Sequence, residues 1–140
     1  MQILQRLAKT LVKYQDPQSG TWYQVTDQGA REGNYLESSS TALFIYTLAK
    51  AVNKGYIGKE YIQPTRKAFD GMVKTFTRLE EDGSYTITNC CAVAGLGGDS
   101  KRYRDGSFEY YISEPVIEND PKSVGSFILA AIEYEKMTDK

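Results

Sequence analysis

Ser38-Ser39-Ser40-Thr41-Ala42-Leu43-Phe44-Ile45-Tyr46-Thr47-Leu48-Ala49-Lys50-Ala51-Val52-Asn53 is the stretch on which the fold turns. The serine run offers N-caps, the residues after it favour helix, and Gly55 stops it. Its apolar residues, Ala42, Leu43, Phe44, Ile45, Tyr46, Leu48, Ala49 and Val52, occupy most of the circumference. A helix apolar on most faces is contacted on two sides inside a larger assembly.

Three further helices surround it. Gln2 to Tyr14 carries Ile3, Leu4, Leu7, Leu11 and Val12 at the spacing of one apolar stripe. A helix starting near Gly58 to Tyr61, with Pro64 tolerated in its first turn, places Ala68, Phe69, Met72, Val73 and Phe76 on one face. That pattern predicts an outer, amphipathic helix. The last begins after Asn119-Asp120-Pro121 and runs to about Met137, with Val124, Phe127, Ile128, Ala131, Ile132 and Tyr134 giving a wide apolar face.

Two long irregular stretches connect them, Gln15 to Glu37 and Arg78 to Asn119. The second contains a hairpin candidate from Glu80 to Ile87 around Asp82-Gly83. Consecutive antiparallel helices alternate in direction, so the second and fourth helices point the same way. Both long stretches run into those two N-termini and should meet there, against two positive dipole ends suited to an anion such as a carboxylate.

Composition narrows the chemistry. The chain has 140 residues, enough for one ordinary domain spanning 1–140, with Lys+Arg 17 against Asp+Glu 18 and a net charge of -1. Such a balance gives no footprint for nucleic acid or anionic lipid. No stretch is long and apolar enough for a membrane span, and the first residues lack a signal peptide's apolar run, which favours a soluble, cytoplasmic protein. Histidine is absent, which removes Ser-His-Asp and Cys-His nucleophiles and every histidine-containing zinc site. The two cysteines, Cys90 and Cys91, are adjacent; they close no useful loop and read as buried thiols. No metal site is expected.

Candidate polar residues each have two readings. Gly97-Gly98 lacks the remainder of any phosphate-loop pattern. Glu114, Glu118 and Asp120 could supply paired carboxylates, with Asp120 as a helix cap and the others solvated as the reading favoured here. Glu37 is either a partner of the helix dipole or a pocket-facing acceptor. Trp22, the sole tryptophan, is either a core residue or a platform for a sugar ring.

Several ordered motifs carry a resemblance. They are Gly20-Thr21-Trp22-Tyr23-Gln24-Val25, Asn34-Tyr35-Leu36-Glu37-Ser38-Ser39-Ser40-Thr41-Ala42-Leu43-Phe44 and Lys54-Gly55-Tyr56-Ile57. Tyr103-Arg104-Asp105-Gly106-Ser107-Phe108-Glu109-Tyr110-Tyr111 and Glu118-Asn119-Asp120-Pro121-Lys122-Ser123-Val124-Gly125 follow in order. Together they resemble the C-terminal part of glycoside hydrolase family 105, the bacterial unsaturated rhamnogalacturonyl hydrolases of pectin degradation, relatives of the family 88 unsaturated glucuronyl hydrolases.

The resemblance implies an all-α fold: a partial (α/α)6 six-hairpin toroid, seen here as about four helices with long loops and a small β-hairpin, the C-terminal third of the barrel. It implies a carbohydrate-active chain whose substrate is an unsaturated uronic-acid oligosaccharide, with no cofactor. The family's general acid/base is an aspartate on the N-terminal half, and its substrate-binding histidines, Arg and Trp are also missing here. No catalytic residue is therefore expected within this chain. Trp22, Gln24, Glu37, Ser38, Ser39, Lys122 and Ser123 are the expected substrate-facing residues. The competing reading is a non-catalytic helical module that binds oligosaccharide or a partner chain, and a third is an independent hydrolase using Glu118 or Asp120. A four-helix arc also leaves inner-helix edges open, so self-association is expected, as a two-fold homodimer.

Overall fold

A computed structural model describes residues 1–29, 31–98 and 103–138. The deciding stretch forms α2, Ser38–Asn53, whose main buried face holds Ser38, Thr41, Ala42, Ile45, Leu48 and Ala49, with Ala51 buried and Phe44 and Tyr46 half-buried to either side of it. The three- and four-residue spacing of the main face aims it at the core, and the flanking residues widen the contact beyond one stripe, as the nearly all-round apolar pattern implies. Leu43 lies outside it and is exposed.

α1, Gln2–Lys13, buries Ala8 and Leu11 but leaves Ile3 and Leu7 exposed, so the predicted stripe is only partly covered. After a short 3-10 turn at Lys59–Tyr61 comes α3, Ile62–Phe76, with Thr65, Ala68, Gly71, Met72 and Phe76 buried. Val73, expected on that stripe, is exposed. α5, Pro121–Thr138, is the long last helix, and Ser123, Ser126, Ala130 and Met137 turn inward.

α2 and α5 lie side by side in the same direction. The Ser38 and Ser123 hydroxyls meet at 2.9 Å in their first turns, and Asn53 at the end of α2 donates to the Glu133 carbonyl at 2.8 Å. α3 crosses over this pair in the opposite direction, stacking Phe69 flat on Tyr134 with ring centroids 3.9 Å apart. α1 also runs opposite to α2: its Leu11 carbonyl accepts from Trp22 Nε1, while the Trp22 amide donates to Thr41 in the first turn of α2. The core joins Ala8, Leu11, Trp22, Ala42, Ile45, Leu48, Met72, Phe76 and Ala130. This is the alternation of inner helices (α2, α5) and outer helices (α1, α3) expected of a partial six-hairpin fold.

Gly71 explains how the first loop reaches α3. A methyl group there would lie 1.8 Å from the Ser19 carbonyl oxygen, so only glycine lets the loop backbone touch the helix.

The hairpin forms, shifted toward the N-terminus. β1, Thr77–Leu79, continues directly from α3 and pairs antiparallel with β2, Tyr85–Ile87, around Gly83 at φ +84°. Three elements have no counterpart in the expected layout. β3, Cys90–Cys91, pairs antiparallel with β4, Val116–Ile117, and a six-residue helix, α4, spans Phe108–Ser113 with Ser107 as its cap. The second long stretch includes residues 99–102, which lie outside the described residues.

Leu48 is fully buried at the centre of this layer. Leu48→Ala is expected to cost about 2–5 kcal/mol in urea unfolding, and Val73→Ala on the exposed side of α3 to stay within about 0.5 kcal/mol.

Candidate functional site

The two long stretches converge where α2 and α5 begin, as the direction argument requires. The Glu37 amide donates to the Trp22 carbonyl at 2.9 Å, the Ser38 amide to the Asn89 carbonyl at 3.0 Å, and Asn89 Nδ2 to the Leu36 carbonyl at 3.3 Å. Asn89 takes φ 58°, a left-handed conformation that asparagine tolerates better than most residues. Trp22, Gln24, Glu37, Ser38, Ser39, Lys122 and Ser123 therefore gather at one end of the helix layer.

They differ sharply in access. Glu37 is 1% exposed and its carboxylate is filled. Oε1 accepts from Ser39 Oγ at 2.8 Å and from the Cys91 amide at 3.0 Å; Oε2 accepts from the Ser40 amide at 2.7 Å and Ser40 Oγ at 2.6 Å. Of the two readings of Glu37, the structure selects the dipole partner, and the carboxylate caps α2 in place of the serines. Ser38 and Ser123 are fully buried against each other. Trp22 is 0% exposed, with its indole N–H on Leu11 and its ring edge-on to Phe44 at 5.4 Å. Buried on both faces, Trp22 is the core residue of its two readings and has no open ring face for a sugar.

Lys122 is the accessible cation of the group, with its side chain about half exposed at 52%. Its Nζ donates to Asp120 Oδ1 at 2.8 Å and to the Ala92 carbonyl at 2.9 Å, which accounts for two of an ammonium's three donors. Gln24 and Ser39 are half-buried. The anion-tolerant face is thus largely satisfied from within: Glu37 meets the start of α2, and Asp120 accepts from the Lys122 amide at the start of α5.

Two of the carboxylates considered for acid/base work, Glu118 and Asp120, are held ionised. Arg78 grips Glu118 with both terminal nitrogens, at 2.7 and 2.9 Å, and also bonds Glu80 at 2.9 Å. This fork holds the Glu118 carboxyl below its ordinary range. The Lys122 ammonium does the same for Asp120. Neither group is suited to carry a proton at neutral pH. Glu114 is buried beneath Tyr110 rather than solvated. Burial pushes both cysteine thiols up, so they stay protonated. Among the described residues no group of three or more acidic or cysteine side chains is arranged to hold a metal ion.

Sequence reading did not find the Arg31 clasp. Arg31, in the first long stretch, lies 3.8 Å over the Phe108 ring and pairs with Glu109, tying that stretch to α4. Ser107 before Phe108-Glu109 is a legible cap signal, but Arg31 lies 78 positions from Glu109. The Arg78–Glu118 fork is also nonlocal, spanning 40 positions.

Two outcomes follow from this geometry. Glu37→Ala should cost about 2–4 kcal/mol, because it removes a helix cap and strands the buried Cys91 amide, as equilibrium unfolding would measure. Glu118 has a folded-state pKa below its unfolded value, so its contribution is present above about pH 4.3 and fades as pH falls through the folded value. Arg78→Met should therefore flatten the acid limb of the stability profile and leave the neutral-to-alkaline limb in place.

Comparison with known proteins fits this architecture. Residues 1–138 match the model of Glycosyl Hydrolase Family 88. Protein Atu3128 of Agrobacterium fabrum and the 24.9 kDa protein in picA locus of Rhizobium radiobacter are each 38% identical over 120 residues. That match covers 83% of this chain and 52% of each relative, so the chain spans about half the length of the curated relatives it matches. A glycoside hydrolase from family 105 of C. acetobutylicum superposes with a TM-score of 0.88 at 44% identity, over 91% of this chain and 35% of that one. A possible member of the same family from Salmonella enterica gives 0.77 at 28% identity, over 99% of this chain and 31% of its own. The chain belongs to glycoside hydrolase family 88, and it folds as part of the six-hairpin glycosidase architecture of its family 105 neighbours.

Proposed function

We propose that this chain is the C-terminal third of an unsaturated uronyl hydrolase barrel and supplies part of the wall of its saccharide site. The observation that carries the reading is the family match over residues 1–138, together with 44% identity to a family 105 glycoside hydrolase. The substrate is an unsaturated galacturonyl-rhamnose disaccharide of the kind a lyase leaves from pectin.

In the intact enzyme, a carboxylic acid protonates the C4 end of the C4=C5 double bond and an activated water adds at C5. The hemiketal so formed opens and releases the neighbouring sugar. This differs from two-carboxylate displacement at the anomeric carbon. The residues of this chain bind rather than react. Lys122 has a donor beyond those given to Asp120 and Ala92, placed at the joined ends of α2 and α5, where it can take the substrate carboxylate. Gln24 and Ser39 are the half-buried polar neighbours for sugar hydroxyls. Glu37, Ser38 and Ser123 act behind them by holding the two helix starts together. Covering the open inner-helix edges is a separate need of the arc, and a two-fold homodimer is the smallest closed form that could meet it.

A second reading has support in the same geometry. Because Glu37, Glu118 and Asp120 are each held by donors, the 140-residue chain suits a module that binds oligosaccharide without turnover.

The isolated chain is expected to leave the ultraviolet absorbance of unsaturated galacturonyl-rhamnose unchanged while binding the disaccharide weakly by calorimetry or nuclear magnetic resonance shifts. Lys122→Met should abolish that binding. Turnover lost on Glu118→Gln or Asp120→Asn would replace this reading with an independent carboxylate hydrolase. Binding indifferent to Lys122→Met would remove Lys122 from the site.

A further inference from the structure

Where the first long stretch leaves α1, it folds back to form a groove of about 360 Å³ that is lined entirely from within residues 13–29. That size falls in the range of small-ligand clefts, about 300–1,000 Å³. Its walls include Lys13, Tyr14, Asp16, Tyr23 and Asp27. None of these belongs to the saccharide wall at Lys122.

The backbone fixes which way Tyr23 faces. Tyr23 pairs with Leu36 across an antiparallel bridge, and the Gln24 amide next to it donates to the Tyr35 carbonyl at 2.8 Å. Side chains alternate along such a ribbon. Trp22 enters the core, so Tyr23 turns the other way and lines the groove. Its ring lies against Gly29, where a methyl group would come within 2.8 Å of a ring carbon. Among the described residues, neither Tyr14 nor Tyr23 stacks on another aromatic ring. The floor is fixed from behind: Gln15 Nε2 donates to the Gly20 and Pro64 carbonyls at 2.7 and 2.9 Å, and the Asp16 amide to the Thr21 carbonyl at 2.9 Å.

The polar groups decide what such a groove takes. Asp16 Oδ2 accepts from the Ser19 amide and hydroxyl, both at 2.7 Å, which leaves Oδ1 for a ligand. Asp27 is exposed and makes no hydrogen bond or ion pair among the described residues. Lys13 is held over the Tyr14 ring, 4.9 Å from its centroid, with its ammonium 3.4 Å from the phenol oxygen. Two carboxylates against one ammonium leave the groove negative, and α1 ends here on the negative pole of its dipole. An anion is therefore repelled. A neutral ring rich in hydroxyls donates to the open carboxylate oxygens and lays its C–H face on a tyrosine.

We infer that this groove is a second carbohydrate site, which takes a neutral pyranose and disfavours a uronate. Tyr23 carries the ring, while Asp27 and Asp16 Oδ1 accept from its hydroxyls. Membership of a glycoside hydrolase family points to a sugar as the ligand, and the inference does not rest on the reading of Lys122. The two sites lie on opposite sides of one ribbon, with Gln24 toward the wall and Tyr23 toward the groove. Their charge preferences are opposite, because an ammonium serves the first and carboxylates serve the second.

The test is a nuclear magnetic resonance titration of the 140-residue chain with methyl galactopyranoside and with methyl galacturonide, its C6 carboxylate, which differ only at that carbon. The galactoside is expected to shift the resonances of Tyr23, Asp27 and Gly29 and to bind there about tenfold more tightly than the galacturonide. Tyr23→Ala should weaken the galactoside about tenfold. Asp27→Asn keeps the shape and removes a charge, so it should narrow the gap between the two ligands, an effect that a merely structural role would not produce. Unchanged far-ultraviolet circular dichroism shows that each variant is folded. A groove without shifts at high galactoside concentration would overturn the proposal. So would a galacturonide bound there as tightly as the galactoside, or a gap unaltered by Asp27→Asn. If the unsaturated disaccharide binds through Lys122 while the groove stays silent, this inference falls and the wall reading stands. Galactoside in the groove without binding at Lys122 upholds this inference alone.

Discussion

The buried carboxylate of Glu37 is the constraint on which the rest of this structure depends. A carboxylate at 1% exposure is costly unless every lone pair finds a donor, and here four donors arrive from two directions. Ser39 and Ser40 come from the first turn of the same helix. The Cys91 amide comes from β3, more than fifty residues later. One side chain thereby ends the first loop, starts the central inner helix and anchors the β3–β4 ribbon that leads into α5. The Ser38–Ser123 hydroxyl pair then fixes the two inner helices in register beside it.

That arrangement also determines what the site can do. The positive ends of α2 and α5 are spent on Glu37 and Asp120, so the accessible charge is the Lys122 ammonium. Glu118 is held by a bidentate arginine and Asp120 by that lysine, which lowers both carboxyls and suits them to orientation rather than proton donation. A wall of fixed donors, with chemistry supplied from elsewhere in a toroid, is consistent with a chain that spans about a third of its structural neighbours.

Much of this was legible locally. The four long helices follow from periodicity at 3.6 residues, and their ends from Gly55, Pro64 and Asp120-Pro121. Asp82-Gly83 marked the hairpin turn. The common direction of α2 and α5 followed from counting antiparallel turns. The short helix at Phe108–Ser113 and the two-residue strands were missed because so few residues produce no periodic signal, and their stability comes from partners such as Arg31 and Glu37. The hairpin's first arm starts earlier than its turn suggested because β1 continues directly from α3.

By itself the sequence determined the class of the fold, the inner character of α2 and the outer character of α3, and the absence of histidine chemistry, since these depend on composition and on neighbours three or four positions apart. Tertiary structure decided the roles of individual polar and aromatic residues. Trp22 could have been platform or core, and Glu37 pocket acceptor or cap. Their environments are built by Leu11, Thr41 and Cys91, residues distant in sequence. Burial and hydrogen-bond satisfaction belong to the folded assembly, and no local pattern encodes which distant donor will arrive.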